Sequence, residues 1–388
     1  MKKTHRLSKH IVLAVTNDLL TDQRVDRTCS ALTEAGYAVT LVGRRLPQSA
    51  PLPERKYGTR RMRLLFKRSA LFYAEYNLRL FLKLLCSQAD VFFANDTDTL
   101  LACCCAARVR RKKLVFDAHE LFPDVPELAN SPSVRRVWKA IERHCIPHVD
   151  AAFTVCQSVA DEYERRYGVK MSVVRNLGAV VPADGNAAVS LQEPGVRTLL
   201  YQGAVNIGRG VQELIDVMEL LPDCRLCVAG DGDERERLCR YAAALPWSSR
   251  VVFLGRVAPV DLRQLSRTAD LGVCLLEDLG LNYRYSLPNR IADFAQAGVP
   301  ILATDFPEIR RVVATYRIGT LAEPCPAVKE GVAYREYLMR LGETITRTLH
   351  DWALLPEEEK HARFAQARQD LCWEKEKNII IDKINAIF

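Results

Sequence analysis

Residues 285–305 hold the densest set of side chains in this chain that could handle an anion and a sugar together. Ser286 suits a helix N-cap and Pro288 a first helical turn. Ile291, Phe294 and Ala295 form an apolar stripe, Gly298 ends the helix, and residues 301–303 make a short buried strand. The polar side chains left over are Ser286, Asn289, Arg290 and Asp293. Asn289 and Arg290 fall in the first turn, where unpaired backbone N–H groups and the helix dipole favour an anion. Asp293 follows one turn later, and its carboxylate can accept two hydroxyls. The expected chemistry is a phosphate at the helix start and a sugar hydroxyl at the carboxylate.

Other stretches carry chemistry of the same kind. A strand over 198–201 runs into a Gly-rich turn, 202–210, which contains Gly203 and ends in Arg209 and Gly210 before a helix. An arginine there can hold phosphate oxygens bidentately. Arg24 stands after the first strand, at the start of a helix over 23–35, where it reads either as a phosphate ligand or as a helix-surface arginine. His119 lies in Asp117-Ala118-His119-Glu120, at the end of a strand over 114–116, and reads as a locally hydrogen-bonded histidine or a sugar contact. Asp96-x-Asp98 and Asp231-x-Asp233 match a short metal-binding pattern that arises readily by chance, and both are expected to be loop residues. Cys224 and Cys227 sit on one strand, whose alternation keeps the sulfurs apart, and no second pair completes a zinc site. No metal is expected.

Residues 285–305, 202–210 and 117–120 together resemble the retaining glycosyltransferases of family four, group 1, which have the GT-B fold. In that family the first segment carries two glutamates eight positions apart. The second falls at Asp293, and the first at Tyr285. The family's Gly-Arg-Leu-x3-Lys-Gly turn places its arginine at Ala204 and its lysine at Arg209. The resemblance implies transfer of a hexosyl unit from a nucleoside-diphosphate sugar to a glycan or lipid-linked acceptor, with retention. Its mechanism is front-face displacement, in which the leaving phosphate oxygen takes the acceptor proton. Arg209 and Arg290 would stabilise the leaving diphosphate, His119 the sugar. Gly203, Ser286, Asn289, Asp293 and Arg24 would bind the nucleotide sugar, and Asp96 would lie on the acceptor side. No cofactor is implied. A nucleotide-sugar 2-epimerase of the same architecture and a non-catalytic sugar-nucleotide-binding partner remain alternatives.

The elements that must position these residues are legible as strand–helix–strand units. The chain has 388 residues, too many for one ordinary core. Strands expected over 10–15 and 37–42 flank the first helix, and a helix–strand alternation recurs in both halves. The fold class is therefore α/β, and with the resemblance it becomes two Rossmann-like domains whose parallel sheets face a central cleft. The expected limits are 1–181 for the first domain, 182–196 for a linker rich in Gly, Ala, Pro and Asn, and 197–370 for the second. Residues 371–388 would form a helix returning to the first domain. A helix over 134–148 is expected to turn Trp138 and Ile141 inward.

Composition narrows the class. The net charge of +8, from 55 basic and 47 acidic residues, is too mild for a nucleic-acid binder. Thirteen cysteines without a regular framework suit a reducing cytosol. No signal peptide is expected, and no apolar stretch reaches the roughly 18 residues of a membrane span. Residues 55–68 carry seven basic side chains interleaved with Met62, Leu64, Leu65 and Phe66. They read either as a solvated face or as a patch for an anionic leaflet, which would put the protein peripherally on the cytoplasmic face of the inner membrane.

Overall fold

The computed structural model describes residues 9–20, 22–125, 128, 131–178 and 191–388. The chain divides into two compact units, Met1–Asn176 with Glu376–Phe388, and Leu177–Lys375. Most of the linker expected over 182–196 lies outside the described residues.

The first unit contains β1 (His10–Ala14), α1 (Gln23–Glu34), β2 (Ala38–Arg45), β3 (Gly58–Arg63), α2 (Ser69–Leu85), β4 (Val91–Asn95) and α3 (Thr97–Arg110). It continues with β5 (Lys113–Ala118), α4 (Pro132–Cys145), β6 (Ala151–Thr154), α5 (Gln157–Tyr167) and β7 (Ser172–Val173). Its seven strands run in the order β3-β2-β1-β4-β5-β6-β7, and every pair is parallel. Parallel strands need covered faces, so the central ones are continuous apolar runs: every residue of β4 is buried, as is β1 after His10. β3 is different. It reads Gly-Thr-Arg-Arg-Met-Arg and buries only Met62 fully, which fits an edge strand whose charges discourage further pairing. Three of the seven basic residues of the 55–68 run, Arg60, Arg61 and Arg63, thus belong to sheet rather than to a free surface segment. The helix expected over 134–148 is α-helical from Pro132 to Cys145 and continues as a 3-10 turn over Ile146–His148, with Ile141 only half-buried.

The second unit contains β8 (Arg197–Gln202), α6 (Val211–Val217), β9 (Cys224–Ala229), α7 (Arg235–Ala243), β10 (Val251–Gly255), α8 (Pro259–Ser266), β11 (Leu271–Cys274), α9 (Leu281–Arg284) and α10 (Asn289–Ala297). β12 (Ile301–Thr304), α11 (Pro307–Tyr316), β13 (Gly319–Ala322), α12 (Gly331–Leu354) and α13 (Glu357–Asp370) follow. Its six strands are ordered β10-β9-β8-β11-β12-β13, again with every pair parallel. Gly272 in β11 lets α10 come close, since a Cβ there would lie 2.5 Å from the Phe294 ring.

The last helix, α14 (Trp373–Asn385), begins in the second unit and continues in the first. Within the first unit Arg175 gives Glu376 three hydrogen bonds, from its backbone amide at 2.6 Å, its Nε at 2.8 Å and its Nη2 at 2.6 Å. Glu376 is 1 % exposed, and a carboxylate so buried needs its cation.

Candidate functional site

In both units the chemically able residues follow the carboxyl ends of the strands, where open parallel sheets place their ligands.

In the first unit the ends of β1, β4 and β5 bring together Thr16, Asp96, Asp98, Asp117 and His119. Asp96 joins β4 to α3 with a φ of 61°, a left-handed conformation that costs a non-glycine residue about 1–3 kcal/mol. That turn aims its carboxylate at His119, whose backbone N–H donates to Oδ1 at 2.8 Å and whose Nδ1 lies 3.2 Å from Oδ2. Nε2 of the same ring lies 3.3 Å from Asp117. Burial opposes charge on this imidazole, but Asp96 and Asp117 outweigh it and raise its pKa to about 9. His119 is therefore an imidazolium at neutral pH, a donor and a positive charge rather than a base.

Asp117 is itself fixed. Burial would raise its pKa, yet Arg24 and His119 hold it well below the usual carboxylate range. Arg24 reaches it bidentately, with Nε at 3.0 Å and Nη2 at 2.7 Å, and donates Nη1 to the Val174 carbonyl at 2.6 Å. Arg24 is 4 % exposed, so its guanidinium is committed inside the domain and the expectation of a phosphate ligand is corrected. The helix cap there is Asp22, whose side chain accepts from the Val25 amide at 3.1 Å. Asp98 also departs from the loop expectation: it lies in the first turn of α3, 7 % exposed, and accepts from Thr16 at 2.5 Å. Burial, and then the charge of Asp96, push its pKa up to about 7.

In the second unit the loop from Gln202 to Gly210 is built for close backbone approach. Gly203 has a φ of 121°, and a Cβ on Gly230 would sit 1.8 Å from its carbonyl oxygen. The Gly203 amide donates to Ala229 at 3.0 Å, and the Val205 amide to Asp231 at 3.0 Å, so the 203–205 and 230–232 turns are laced together. Asp231 and Asp233 are exposed turn residues, as expected. Among the described residues no group of three or more His, Cys, Asp or Glu is placed to hold a metal ion.

Arg290 and Arg209 converge behind this loop. Arg290 is 7 % exposed; its guanidinium lies over the Tyr201 ring at 4.4 Å, and its Nη2 is the atom nearest to where a Gly203 Cβ would be, at 3.7 Å. Arg209 lies over Tyr283 at 5.0 Å. Burial raises the Cys274 thiol's pKa, while Arg290 and Arg209 both pull against it, which places the two cations near the same strand end. Nη1 of Arg290 and Nε of Arg209 are buried without a hydrogen-bond partner. Buried N–H donors are rarely left so, and two of them on neighbouring cations call for an anion.

The remaining expected residues surround this centre. Asn289 opens α10 and is exposed. Asp293 is half-buried, with Gln202 Nε2 at 3.4 Å from its carboxylate. Ser286 does not cap α10: Pro288 holds that place, and the Ser286 hydroxyl donates to the Tyr283 carbonyl at 2.8 Å, closing α9. The short helix over 281–284 takes the hydroxyl before the next helix begins. Glu277, in the loop after β11, is paired with Lys329, whose Nζ lies 2.9 Å away. Tyr201, Tyr283 and Asp117 are the participants that sequence reasoning leaves out. Only Asp117 had a signal, its place beside His119.

Two parallel-sheet units with strand-end loops of this kind are the architecture of the GT-B fold. The family model described as Glycosyltransferase Family 4 matches residues 22–177, and that described as Glycosyl transferases group 1 matches residues 186–348. The chain belongs to this family 4, group 1 type of glycosyltransferase. Among similar solved structures is sucrose-phosphate synthase from Thermosynechococcus elongatus, with 16% identity, 98% of this chain and 99% of that one covered, and a TM-score of 0.73. Anabaena HepE in complex with UDP-glucose has 14% identity, coverage of 97% and 99%, and a TM-score of 0.67. The lipopolysaccharide outer core galactosyltransferase WaaB has 13% identity, coverage of 98% and 100%, and a TM-score of 0.66. At these identities the likeness is one of fold. Among curated protein sequences none matches the chain significantly.

Proposed function

We propose that the protein transfers a hexosyl unit from a nucleoside-diphosphate sugar to a glycan or lipid-linked acceptor, with retention at the anomeric carbon. The observation that carries this reading is the pair of cations at the Gly203–Gly210 loop, Arg209 and Arg290, each with a buried donor left unpartnered. In a family of glycosyltransferases the anion that answers them is the donor diphosphate. Preorganised cations at the leaving diphosphate lower the barrier because charge develops there in the transition state. Asp293 receives the ribose hydroxyls, with Gly203 and Asn289 beside the phosphates. His119, already protonated, serves as a positive donor to the sugar, and Asp96 holds it on the acceptor side. The leaving phosphate oxygen takes the acceptor proton, so no carboxylate nucleophile is needed. That HepE is solved with UDP-glucose supports a uridine donor as the first to try. Synthesis of surface polysaccharide at the cytoplasmic face of a membrane is the setting we infer; no helix among the described residues is long and apolar enough to cross one.

The test is a panel of nucleoside-diphosphate sugars incubated with candidate acceptors and EDTA, following nucleotide release and product anomer. Retained product is expected, undiminished by chelator, and Arg209→Ala should lower kcat/KM by ~10²-fold. A sugar isomer without transfer would make the protein an epimerase, and binding alone a non-catalytic partner. Turnover lost to EDTA and restored by manganese would overturn the mechanism.

A further inference from the structure

The first unit carries a second basic cluster, away from His119. The last residues of β2 pair with those of β3, Arg44 with Met62 and Arg45 with Arg63. Beyond them is a recess of about 250 Å³ lined by Arg44, Arg45, Arg63 and Lys67, with Leu64 and Phe66 beside them and no carboxylate. Within the 55–68 run, Arg55, Lys56 and Arg61 are neutralised by Asp26, Glu34 and Asp18. The four cations of the recess have no such partners among the described residues, and the Nε of Arg44 is buried without a hydrogen-bond acceptor.

An apolar groove of about 730 Å³ lies along α2, α3 and α4, its lining starting at Ser69, two residues after Lys67 of the recess. Tyr73, Leu78, Phe81, Leu101, Val137 and Trp138 line it. Leu78 is 60% exposed and Val137 57%, so the groove is an open hydrocarbon surface of the kind that marks a binding site. The walls of recess and groove are joined inside the unit through the buried Phe72. The Arg44 guanidinium lies over Phe72 at 4.8 Å, Phe72 touches Tyr73 at 4.9 Å, and Tyr73 touches Trp138 at 5.0 Å. The segment between them is pinned by Glu75, which accepts from the backbone amides of Leu65 and Phe66. That bond also turns the single acid of α2 away from a ligand.

Four cations around a recess, close to a groove for hydrocarbon, fit one molecule with an anionic head and an aliphatic tail. We propose that this site binds an anionic amphiphile, its phosphate or pyrophosphate in the recess and its chain along the groove, and that the acceptor is therefore lipid-linked. Naming this molecule the acceptor rests on the transferase reading above; the binding site itself does not. The recess and His119 share the carboxyl edge of one sheet, separated by the strands β1 and β4. At about 4.8 Å per strand the span is on the order of 15 Å, which suits a head group carrying a short glycan.

Dodecyl phosphate below its micelle threshold tests this by titration calorimetry, with Trp138 fluorescence as a second readout and no donor present. Dodecyl maltoside, inorganic phosphate and vesicles containing anionic lipid are the comparisons. We expect saturable binding of dodecyl phosphate at least tenfold tighter than of the maltoside or of phosphate alone. Arg63→Ser with Lys67→Ser should weaken it at least tenfold. Val137→Asp, at an exposed position, should do the same while leaving weak phosphate binding unchanged. Equal affinity for the neutral detergent, or indifference to the double variant, would remove the head site. Indifference to Val137→Asp would remove the tail site, and binding to vesicles alone would make this a membrane-facing surface instead. Failure in these titrations leaves the donor reactions standing, and inactivity in the donor panel leaves this site standing.

Discussion

His119 is the residue whose chemistry depends most on its neighbours. With its pKa raised to about 9 from an ordinary value near 6.5, it contributes stability that is fully present below pH 6.5. That contribution is lost as pH rises through about 9. NMR titration of the His119 ring should therefore give a midpoint near 9, and Asp96→Asn should bring it down. A wild-type midpoint near 6.5 would show that the carboxylates do not hold the ring. The same neighbourhood shows what one residue type conceals. Arg24 reads in sequence as a phosphate ligand or a helix-surface arginine because nothing local points inward; its partner Asp117 is 93 residues away. Arg290 is legible for the opposite reason, since the helix start, the apolar stripe and Gly298 all lie within a few residues of it. Neither Tyr201 nor Tyr283 could be assigned to an arginine from the sequence, because a ring under a guanidinium leaves no spacing rule.

At the scale of elements, strands and helices were legible where apolar runs or 3.6-residue stripes were strong, as in β4 and α10. β3 was not, because an edge strand of arginines carries no alternation of the buried kind. Ser286 was misassigned because a cap depends on which residue begins the helix, and the four-residue α9 is too short to announce itself. The two turns that shape the candidate donor loop depend on glycine at a position where geometry leaves no choice. A Cβ on Gly230 would lie 1.8 Å from the Gly203 carbonyl oxygen, a backbone atom that moves only with its whole loop. Gly230→Ala should cost about 1–3 kcal/mol of stability by overpacking. It should also raise the KM for the donor more than fivefold, because the loop that carries Arg209 shifts. Gly36→Ala serves as the control, with positive φ but open space around it. Equal donor KM for the two variants would detach the turn from the site.

At the scale of the molecule, two units built from parallel sheets each close on distant pairings. The His10 amide donates to Asp90, 80 residues on, and the Thr198 amide to Asp270, 72 residues on. The first unit has a longer debt still, since Arg175 is bound to Glu376 across 201 residues. Glu376→Gln should lower the first unit's melting temperature, by removing the charge from a buried pair whose disruption costs about 3–5 kcal/mol. Hydrogen exchange would resolve the effect, with faster exchange in β6, β7 and α14 expected and no change in β8–β13. Uniform acceleration through both sheets would contradict it. The same bond has a meaning during synthesis. The ribosome delivers residues from the amino end, so the first unit emerges early with Arg175 lacking its carboxylate, and stays so while the whole second unit is made. Its completion must then wait for residue 376, and a nascent chain stalled before it would carry a domain that holds its sheet but not its final lock.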